Sequence, residues 1–310
     1  MPSSNAIHRD KALENISVAY RPEGFIADIV APIVKVQHES DVYYVYSRGN
    51  NSLPETIRAN GAETNRATFD VSTSSYRLDA HGLHDDVTDR DRSNADKALN
   101  LDIAATEAIT NRMLIRREVD LATIVQTAAN WSNNASLTSA LAWTANTTLS
   151  NPITQIDSAS SVILLNSGKK PNLLVINNAT FIGAKEHVSI TDRVKYTSAD
   201  SVTETILAKL FNIDRIVQGQ AVYNTAQEGT TDVTAFIWTN CAWLAYSEKS
   251  PGLKKASAIY TLWKDDVGSP YVVKKWREEK IEADRIEVNA MFQHKPVATL
   301  CAYLIRGTAT

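Results

Sequence analysis

The chain has 310 residues, of which 44% are hydrophobic and 22% charged, enough apolar material for an ordered core and too much for wholesale disorder. Its 32 Lys and Arg against 35 Asp and Glu leave a formal charge of -3, which removes any global basic field for tight, salt-dependent nucleic-acid binding; such contact should be weak and local. Cys241 and Cys301 lie far apart without metal-ligand spacing and read as buried free thiols of a reducing cytoplasm.

No stretch reaches the roughly 18 apolar residues that span a bilayer, and the amino terminus MPSSNAIHRDKALENI lacks a signal-peptide apolar core, so the protein is expected to be made in a cytoplasm and to stay there. Residues 1–36 mix charges with short apolar runs, and Pro22 and Pro32 break any continuous helix; the segment reads as an extended arm. From Asp41, DVYYVY reads as a strand, the pattern breaks at GNNSLP and ANGAE, and strand-like alternation returns in TFDVSTSSYRL. Two strands around a long polar excursion make an extended hairpin, whose tip has too few apolar residues for a core of its own and must be ordered by a partner if it is ordered at all.

The stretch KALNLDIAATEAITNRMLIRREVDLATIVQTAANW has neither Gly nor Pro and predicts one helix over 97–130, with Ser93 or Asn94 as its N-cap. At 1.5 Å per residue it would be about 45 Å long. Ala104, Ala108, Ile115, Val119 and Ala122 form one stripe and Ile103, Leu114, Leu121 and Ile124 a second, with Glu107, Asn111 and Glu118 between them, so the helix should be packed from two directions. After a polar stretch, the pattern becomes helix (PITQIDSASSVILLNS), strand (PNLLVINN), helix (ATFIGAKEHV), helix (SVTETILAKLF) and strand (DRIVQGQAVY). TAFIWTNCAWLAYS is a buried-strand candidate, and the tail from Tyr271 to Ile305 alternates at a strand's period. The architecture implied is α+β.

Catalytic constellations are missing: there is no GxGxxG after a strand, no GxxxxGK[ST], no HExxH and no GxSxG. His187 and His294 stand alone and read as surface or satisfied core residues. HGLHDDVTDRD, residues 81–91, looks like metal bait, yet on a strand a spacing of three sends His81 and His84 to opposite faces. Its aspartates read as the close of a strand and the approach to the long helix. The pairs Lys169-Lys170, Lys254-Lys255 and Lys274-Lys275 read as solvated faces rather than phosphate sites. No cofactor or metal is called for, and a metal-dependent hydrolase on His81, His84 and Asp85 is the weakest alternative.

In sequence order, DDVTDRDRSNAD, LIRREVDLATIV, DRVKYT, LFNIDRIVQGQAVYNTAQEGTTDV, AWLAYSEKSPGL and REEKIEADRIEV resemble the major capsid protein of tailed bacteriophages, the Hong Kong 97-like fold, over nearly the whole chain. The resemblance implies an N-terminal arm (1–36), an E-loop (37–80), a peripheral domain (81–150) with a spine helix at about 97–130, an axial domain (151–285), and a C-terminal strand (286–310) returning to the peripheral sheet. It implies a structural, non-enzymatic shell protein that self-assembles as hexamers and pentamers into an icosahedral capsid enclosing phage DNA, in the virion, after assembly in the bacterial host's cytoplasm. Scaffolding, portal and decoration proteins are further partners, contact with packaged DNA is weak and non-specific, and no membrane is involved. A shell of a bacterial nanocompartment of the same fold is the related alternative. Interleaved charges on the E-loop, Arg48, Glu55, Arg58, Glu63, Arg66 and Asp70, suit register-setting against a neighbouring subunit. Some capsids of this fold are sealed by an isopeptide bond from an E-loop Lys to a neighbour's Asn; no Lys lies between Lys35 and Lys97, so that cross-link is not expected.

Overall fold

The structure is a computed structural model that describes residues 24–95, 100–195, 202–227, 229–252, 255–264 and 271–309. A turn of helix, α1 (Ala27–Val30), leads into strands β1 (Ile33–Val36), β2 (Ser40–Tyr46), β3 (Val71–Arg77) and β4 (Asp79–Thr88), then helices α2 (Asp89–Asn94) and α3 (Leu101–Gln126). Next come β5 (Asn134–Ser136), α4 (Pro152–Ser167), β6 (Leu173–Asn177), α5 (Asn178–Glu186), α6 (Val188–Val194), α7 (Glu204–Leu210) and β7 (Arg215–Gly219). The rest is strand: β8 (Val222–Asn224), β9 (Thr234–Phe236), β10 (Cys241–Ala245), β11 (Ile259–Lys264), β12 (Val272–Glu278), β13 (Ala283–Pro296) and β14 (Ala302–Arg306).

One sheet runs β1-β11-β13-β12, with β4 also on β13; a second runs β5-β14-β10-β6-β7; β2–β3 and β8–β9 are separate ribbons. Along β13, Ile286, Val288, Ala290 and Phe292 are buried at the two-residue period of a half-buried strand. They meet Ala105, Ile109 and Met113 on the first half of α3, one side chain per turn. The last half of α3 places Leu121, Ala122 and Val125 on the second sheet, among Trp131, Val175, Trp243 and Leu304. α3 thus serves the two sheets in succession along its length. Ile103, Ala104 and Ala108, assigned above to its packing stripes, are exposed, and Glu118 is buried. Apolar residues flank the true stripe on both sides, so periodicity alone does not decide which set faces the sheets.

β6 and β10 are buried along their whole length, as strands covered on both faces must be. Leu174, Ile176, Ala242, Leu244 and Ile305 point to the opposite side from Val175 and Trp243, into a core closed by Ile156, Ile163, Ile190, Leu207 and Phe211 of α4, α6, α7 and the residue after α7. α4 has the bounds read from the sequence because both ends are signalled. Asn151 Oδ1 accepts the Thr154 N–H at 3.3 Å, Pro152 sits in the first turn, and Gly168 closes the last turn at a φ of 67°.

Several expectations are corrected. Ser93 and Asn94 end α2 and do not cap α3; Asn100 does, with Oδ1 accepting the Ile103 N–H at 3.3 Å, and Lys97 lies outside the described residues. At its other end α3 stops at Gln126, where the Asn130 amide and the Trp131 indole donate to the carbonyls of Ile124 and Val125 at 2.9 and 2.8 Å. HGLHDDVT is a full strand, since β4 pairs with β13 from Asp79 to Thr88 and the chain turns toward the helices only afterwards. The expected break between 285 and 286 falls inside β13, and β11 and β12, placed in the 151–285 unit, belong to the first sheet. β13 is the strand that returns beside β4, whereas the final strand β14 pairs with β10 and β5 in the second sheet. Helix α6 and strand β11 were not read from the sequence. The amino-terminal arm is described only from Gly24 onward, where it is α1 and β1, the latter parallel to β11.

Candidate inter-subunit surface

β2 and β3 pair antiparallel from Ser40–Arg77 to Tyr46–Val71 and belong to no larger sheet. A lone two-stranded hairpin is marginal in water. This one is rooted at its base, where Leu78, Tyr76, Val34, Val36, Tyr260 and Leu262 cluster and the Leu78 N–H donates to the Glu39 carbonyl at 2.7 Å. Lys264 also reaches Glu39 at 2.9 Å, and the Arg77 N–H meets Gln293 Oε1 at 3.3 Å.

Beyond that root the stem carries an apolar stripe exposed to solvent in the single chain. Val42, Tyr44, Tyr46, Phe69 and Val71 are all exposed, Tyr44 to 70% and Phe69 to 66%, and the Tyr46 and Phe69 rings lie 5.7 Å apart. The period of two in Val42, Tyr44 and Tyr46 puts them on one face, with Val71 opposite Tyr46. At the tip Leu53 is 99% exposed and Ile57 is exposed, so the excursion holds apolar residues that no other described part of the chain covers. A contiguous exposed apolar face of this kind marks an interaction surface.

The six charged residues predicted for this contact, Arg48, Glu55, Arg58, Glu63, Arg66 and Asp70, are all exposed, and among the described residues none makes an ion pair. They are spread round the tip rather than gathered at a point. Asn50 clamps the neck, its amide donating to the Asp70 carbonyl at 2.7 Å and its Oδ1 accepting the Asp70 N–H at 2.8 Å. Glu55 accepts from the Ile57 N–H at 2.9 Å, and Asn65 crosses to the Glu55 carbonyl at 2.9 Å. The two sides of the tip stand apart around a space of about 450 Å³ lined by Glu55, Arg58 and Arg66. Arg48 alone of the six touches the body, donating to Asn166 Oδ1 at 3.5 Å. The apolar stripe is the part that charge patterning missed. Its signal lay in DVYYVY, where Tyr43 and Val45 alternate with Val42, Tyr44 and Tyr46 and leave neither face polar.

The metal bait resolves into packing. His81 stacks on Phe292 with ring centroids 4.3 Å apart, on the α3 side of the sheet, and His84 sits three residues on along the same strand, on the other face. Asp86 of this stretch forms a bidentate pair with Arg285 at 2.7 and 2.8 Å, which holds its carboxyl below the usual range. Among the described residues no three His, Cys, Asp or Glu side chains are placed to hold a metal ion. Cys241 and Cys301 are buried free thiols; the register pairs Cys241 with Arg306 and Ala245 with Ala302, so the two sit at opposite ends of β10, and burial pushes the Cys241 thiol up to about 12.

Where α3 passes from one sheet to the other, Glu118 is fully buried and accepts three N–H groups, from Ile26 at 3.2 Å, Ala27 at 2.9 Å and the Trp238 indole at 2.7 Å. Burial raises its pKa against the pull of these donors. The adjacent Arg117 lies over the Trp263 ring at 5.0 Å and pairs with Asp28, and its carbonyl accepts from His294 Nε2 at 3.2 Å. The turn at 117–118 thereby ties α1, strands β11 and β13 of the first sheet and the loop before β10 to one point.

No family model matches the chain. A major capsid protein of Burkholderia phage BcepMu is 26% identical over 306 residues, 96% of this chain and 96% of that one. The crystal structure of a phage-related protein from Bordetella bronchiseptica superposes with a TM-score of 0.72 at 22% identity, covering 93% of this chain and 94% of the other. The capsid structure of cyanophage P-SCSP1u gives a TM-score of 0.67 at 12% identity over 94% of this chain and 90% of that one.

Proposed function

The chain is a tailed-phage major capsid protein of Hong Kong 97-like fold, and from that premise we propose that it builds the shell by laying the β2–β3 hairpin onto a neighbouring subunit through the stripe of Val42, Tyr44, Tyr46, Phe69 and Val71. One observation carries this reading: the ribbon bears an aromatic face, led by Tyr44 and Phe69, that stands exposed among the described residues of its own chain. Burying such a face between subunits supplies association energy that the compact sheets cannot reach across a boundary. Arg48, Glu55, Arg58, Glu63, Arg66 and Asp70, charged and unpaired around the tip, set the register of that contact.

In this assignment the arm and E-loop are residues 1–36 and 37–80. The peripheral domain is β4, β11, β12 and β13 with the first half of α3, its sheet completed by β1 of the arm, and the axial domain is the β5-β14-β10-β6-β7 sheet with α4 to α7. The role is structural and not catalytic. Hexamers and pentamers form in the bacterial host's cytoplasm, scaffolding, portal and decoration proteins are further partners, and packaged DNA touches the shell weakly.

Deleting residues 48–66 tests the hairpin. The core should fold with an unchanged far-ultraviolet spectrum, and sedimentation should show unassembled subunits where the full chain gives particles. Normal particle formation by the deletion would overturn this account of the hairpin.

A further inference from the structure

The strand ends of the second sheet gather a charge excess opposite in sign to that of the whole chain. Leu173 is in register with both Arg215 and Ala245, so the loops before β6, before β7 and after β10 emerge side by side. Two hydrogen bonds knit them together, from the Asn172 N–H to the Ala245 carbonyl at 3.0 Å and from the Arg215 N–H to the Asn172 carbonyl at 3.1 Å. On these loops and the adjoining end of α7 stand Lys169, Lys170, Lys209, Arg215, Lys249 and Lys255, all exposed, with only Asp214 and Glu248 as nearby carboxylates. The chain as a whole carries -3.

Apart from Lys255, which pairs with Glu248, these cations are not neutralised among the described residues, and two of them are positioned by neutral partners. Lys170 Nζ donates to Asn212 Oδ1 at 2.9 Å, and Lys169 Nζ lies over the Tyr246 ring at 5.4 Å. Lys255 donates to the Ser250 carbonyl at 2.9 Å and stands 3.6 Å from Glu248, while Glu248 itself accepts the Tyr246 hydroxyl at 3.0 Å. Among the described residues Lys169, Lys170, Lys209, Arg215 and Lys249 make no ion pair. The other basic corner of the molecule is built the opposite way: Arg92, Lys275, Arg277 and Arg285 are each matched by Asp89, Asp102, Asp284 or Asp86.

We propose that this end of the second sheet is a surface for the phosphate backbone of nucleic acid. Neighbouring strands stand about 4.8 Å apart, so the ends of three adjacent strands span about 10 Å, a length over which duplex DNA presents roughly six phosphates. Lysines held by neutral acceptors offer point charges to those phosphates without first breaking a salt bridge, and such contacts read no sequence. A protein partner would need an apolar centre; among the described residues of these loops no large apolar side chain is exposed, Leu164 and Leu165 lying one turn back along α4. The choice of nucleic acid over other polyanions rests on the shell reading, because a shell closed around a genome brings phosphate to its wall. The pair Lys169-Lys170, read from sequence as a solvated face, is part of this surface.

The test is fluorescence anisotropy of a labelled non-specific duplex of about 30 base pairs with the unassembled full-length chain, from about 50 to 200 mM salt. Lys169→Gln/Lys170→Gln/Arg215→Gln should bind at least about tenfold more weakly and lower the salt slope by about 3, at roughly 0.9 per phosphate contact. The charge-keeping variant Lys169→Arg/Lys170→Arg/Arg215→Lys should bind as the parent does, which separates charge from folding. Arg112→Gln/Lys185→Gln/Lys280→Gln removes the same charge elsewhere and should leave binding unchanged. An unaltered affinity in the first triple variant, an equal loss in the third, or a change in self-association with DNA binding intact would each overturn the proposal. Sedimentation of the same samples keeps the two readings apart: particles that form normally while DNA binding is lost leave the shell standing, and DNA binding by a chain that never assembles sinks the shell alone.

Discussion

Glu118 Oε1 accepts the indole N–H of Trp238 at 2.7 Å, joining residues 120 apart in sequence and tying the middle of α3 to the loop that precedes β10. The same carboxylate holds the backbone N–H groups of Ile26 and Ala27. Three buried donors therefore depend on one side chain. Glu118→Ala leaves them unpaired in a dry site, and Glu118→Gln turns an amide toward them; each should cost about 3 kcal/mol or more of unfolding free energy, the alanine variant the more. Gly219→Ala, whose Cβ would collide with the Trp238 ring, should destabilise through the same junction. Urea unfolding of the three variants checks this, and stabilities within 1 kcal/mol of the parent, on the order of a single surface change, would contradict it.

How far the sequence reveals this junction can be judged from its parts. Strands β2, β3, β6 and β10 and the whole of α4 are legible because their signals are local: alternation, an all-apolar run, an Asn cap and a closing Gly. Glu118 is not, because its partners lie 91 to 120 positions away and only the folded chain brings them together. The hairpin is legible as a hairpin, whereas its exposed apolar stripe is not marked by the charge pattern of its tip. Periodicity in DVYYVY shows strand but does not show that the face of Val42, Tyr44 and Tyr46 stays exposed while Tyr43 and Val45 are half-buried. The order of strands in the two sheets is beyond reach for a similar reason, since pairing partners such as β4 with β13 and β10 with β14 lie far apart in the sequence.

At neutral pH His294 is uncharged, because burial and the neighbouring Arg117 push its pKa down to about 3. Its Nε2 must donate to the Arg117 carbonyl, leaving Nδ1 to accept from Thr261. An unfolded histidine titrates near 6.5. Between about 6.5 and 3 the unfolded chain binds the extra proton, so stability should fall as pH drops through that window, by up to roughly 1.4 kcal/mol per pH unit, and be flat above it. Denaturant melts at pH 7.0, 5.5 and 4.5 on the parent and on His294→Gln check this, the variant losing less on acidification. The carboxylates of Asp86, Asp89, Asp102 and Asp284 are held below their usual range by Arg and Lys partners, so their contribution is intact near neutral pH and is lost as pH falls through the ordinary carboxylate range, about 3.9, and below, adding to the loss at the acid end of the same window.

Helix α2 has no buried residue; the Asp89 N–H donates to the Glu282 carbonyl at 3.0 Å and Thr88 caps its start, and the rest of its anchoring is charge. Arg92 bridges Asp102 and Asp284 at 2.8 and 2.9 Å, and Arg277 Nη1 binds Asp89 at 2.7 Å. Exposed pairs of this kind are screened by salt. Amide exchange at Ala95, which donates to the Asp91 carbonyl at 2.8 Å, should quicken several-fold on raising salt to about 1 M or in Asp284→Asn, with exchange in β13 unchanged. Equal exchange in both conditions would show that something other than charge fixes α2.

Glu282 turns the chain between β12 and β13 at a φ of 48°, where a side chain pays a steric penalty that glycine avoids. Glu282→Gly should raise the unfolding free energy by up to about 1 kcal/mol, less the entropy glycine gains in the unfolded chain. A melting temperature lower than the parent's would rule that out.

Tyr44→Ser/Phe69→Ser should leave the melting temperature of the subunit within about 2 °C, because both rings are exposed in the single chain. Assembly, by contrast, should fail or require much higher protein concentration in light-scattering assays. A subunit destabilised as strongly as by a core substitution would show that the stripe packs within its own chain.

The central claim is that many copies of this chain close into a shell with the β2–β3 stripe buried between them. Cryo-microscopy of the purified, assembled chain measures both parts at once. The account predicts icosahedral particles in which Tyr44 and Phe69 lie against a neighbouring subunit. A chain that stays monomeric under every assembly condition, or particles in which that stripe faces solvent, would contradict it.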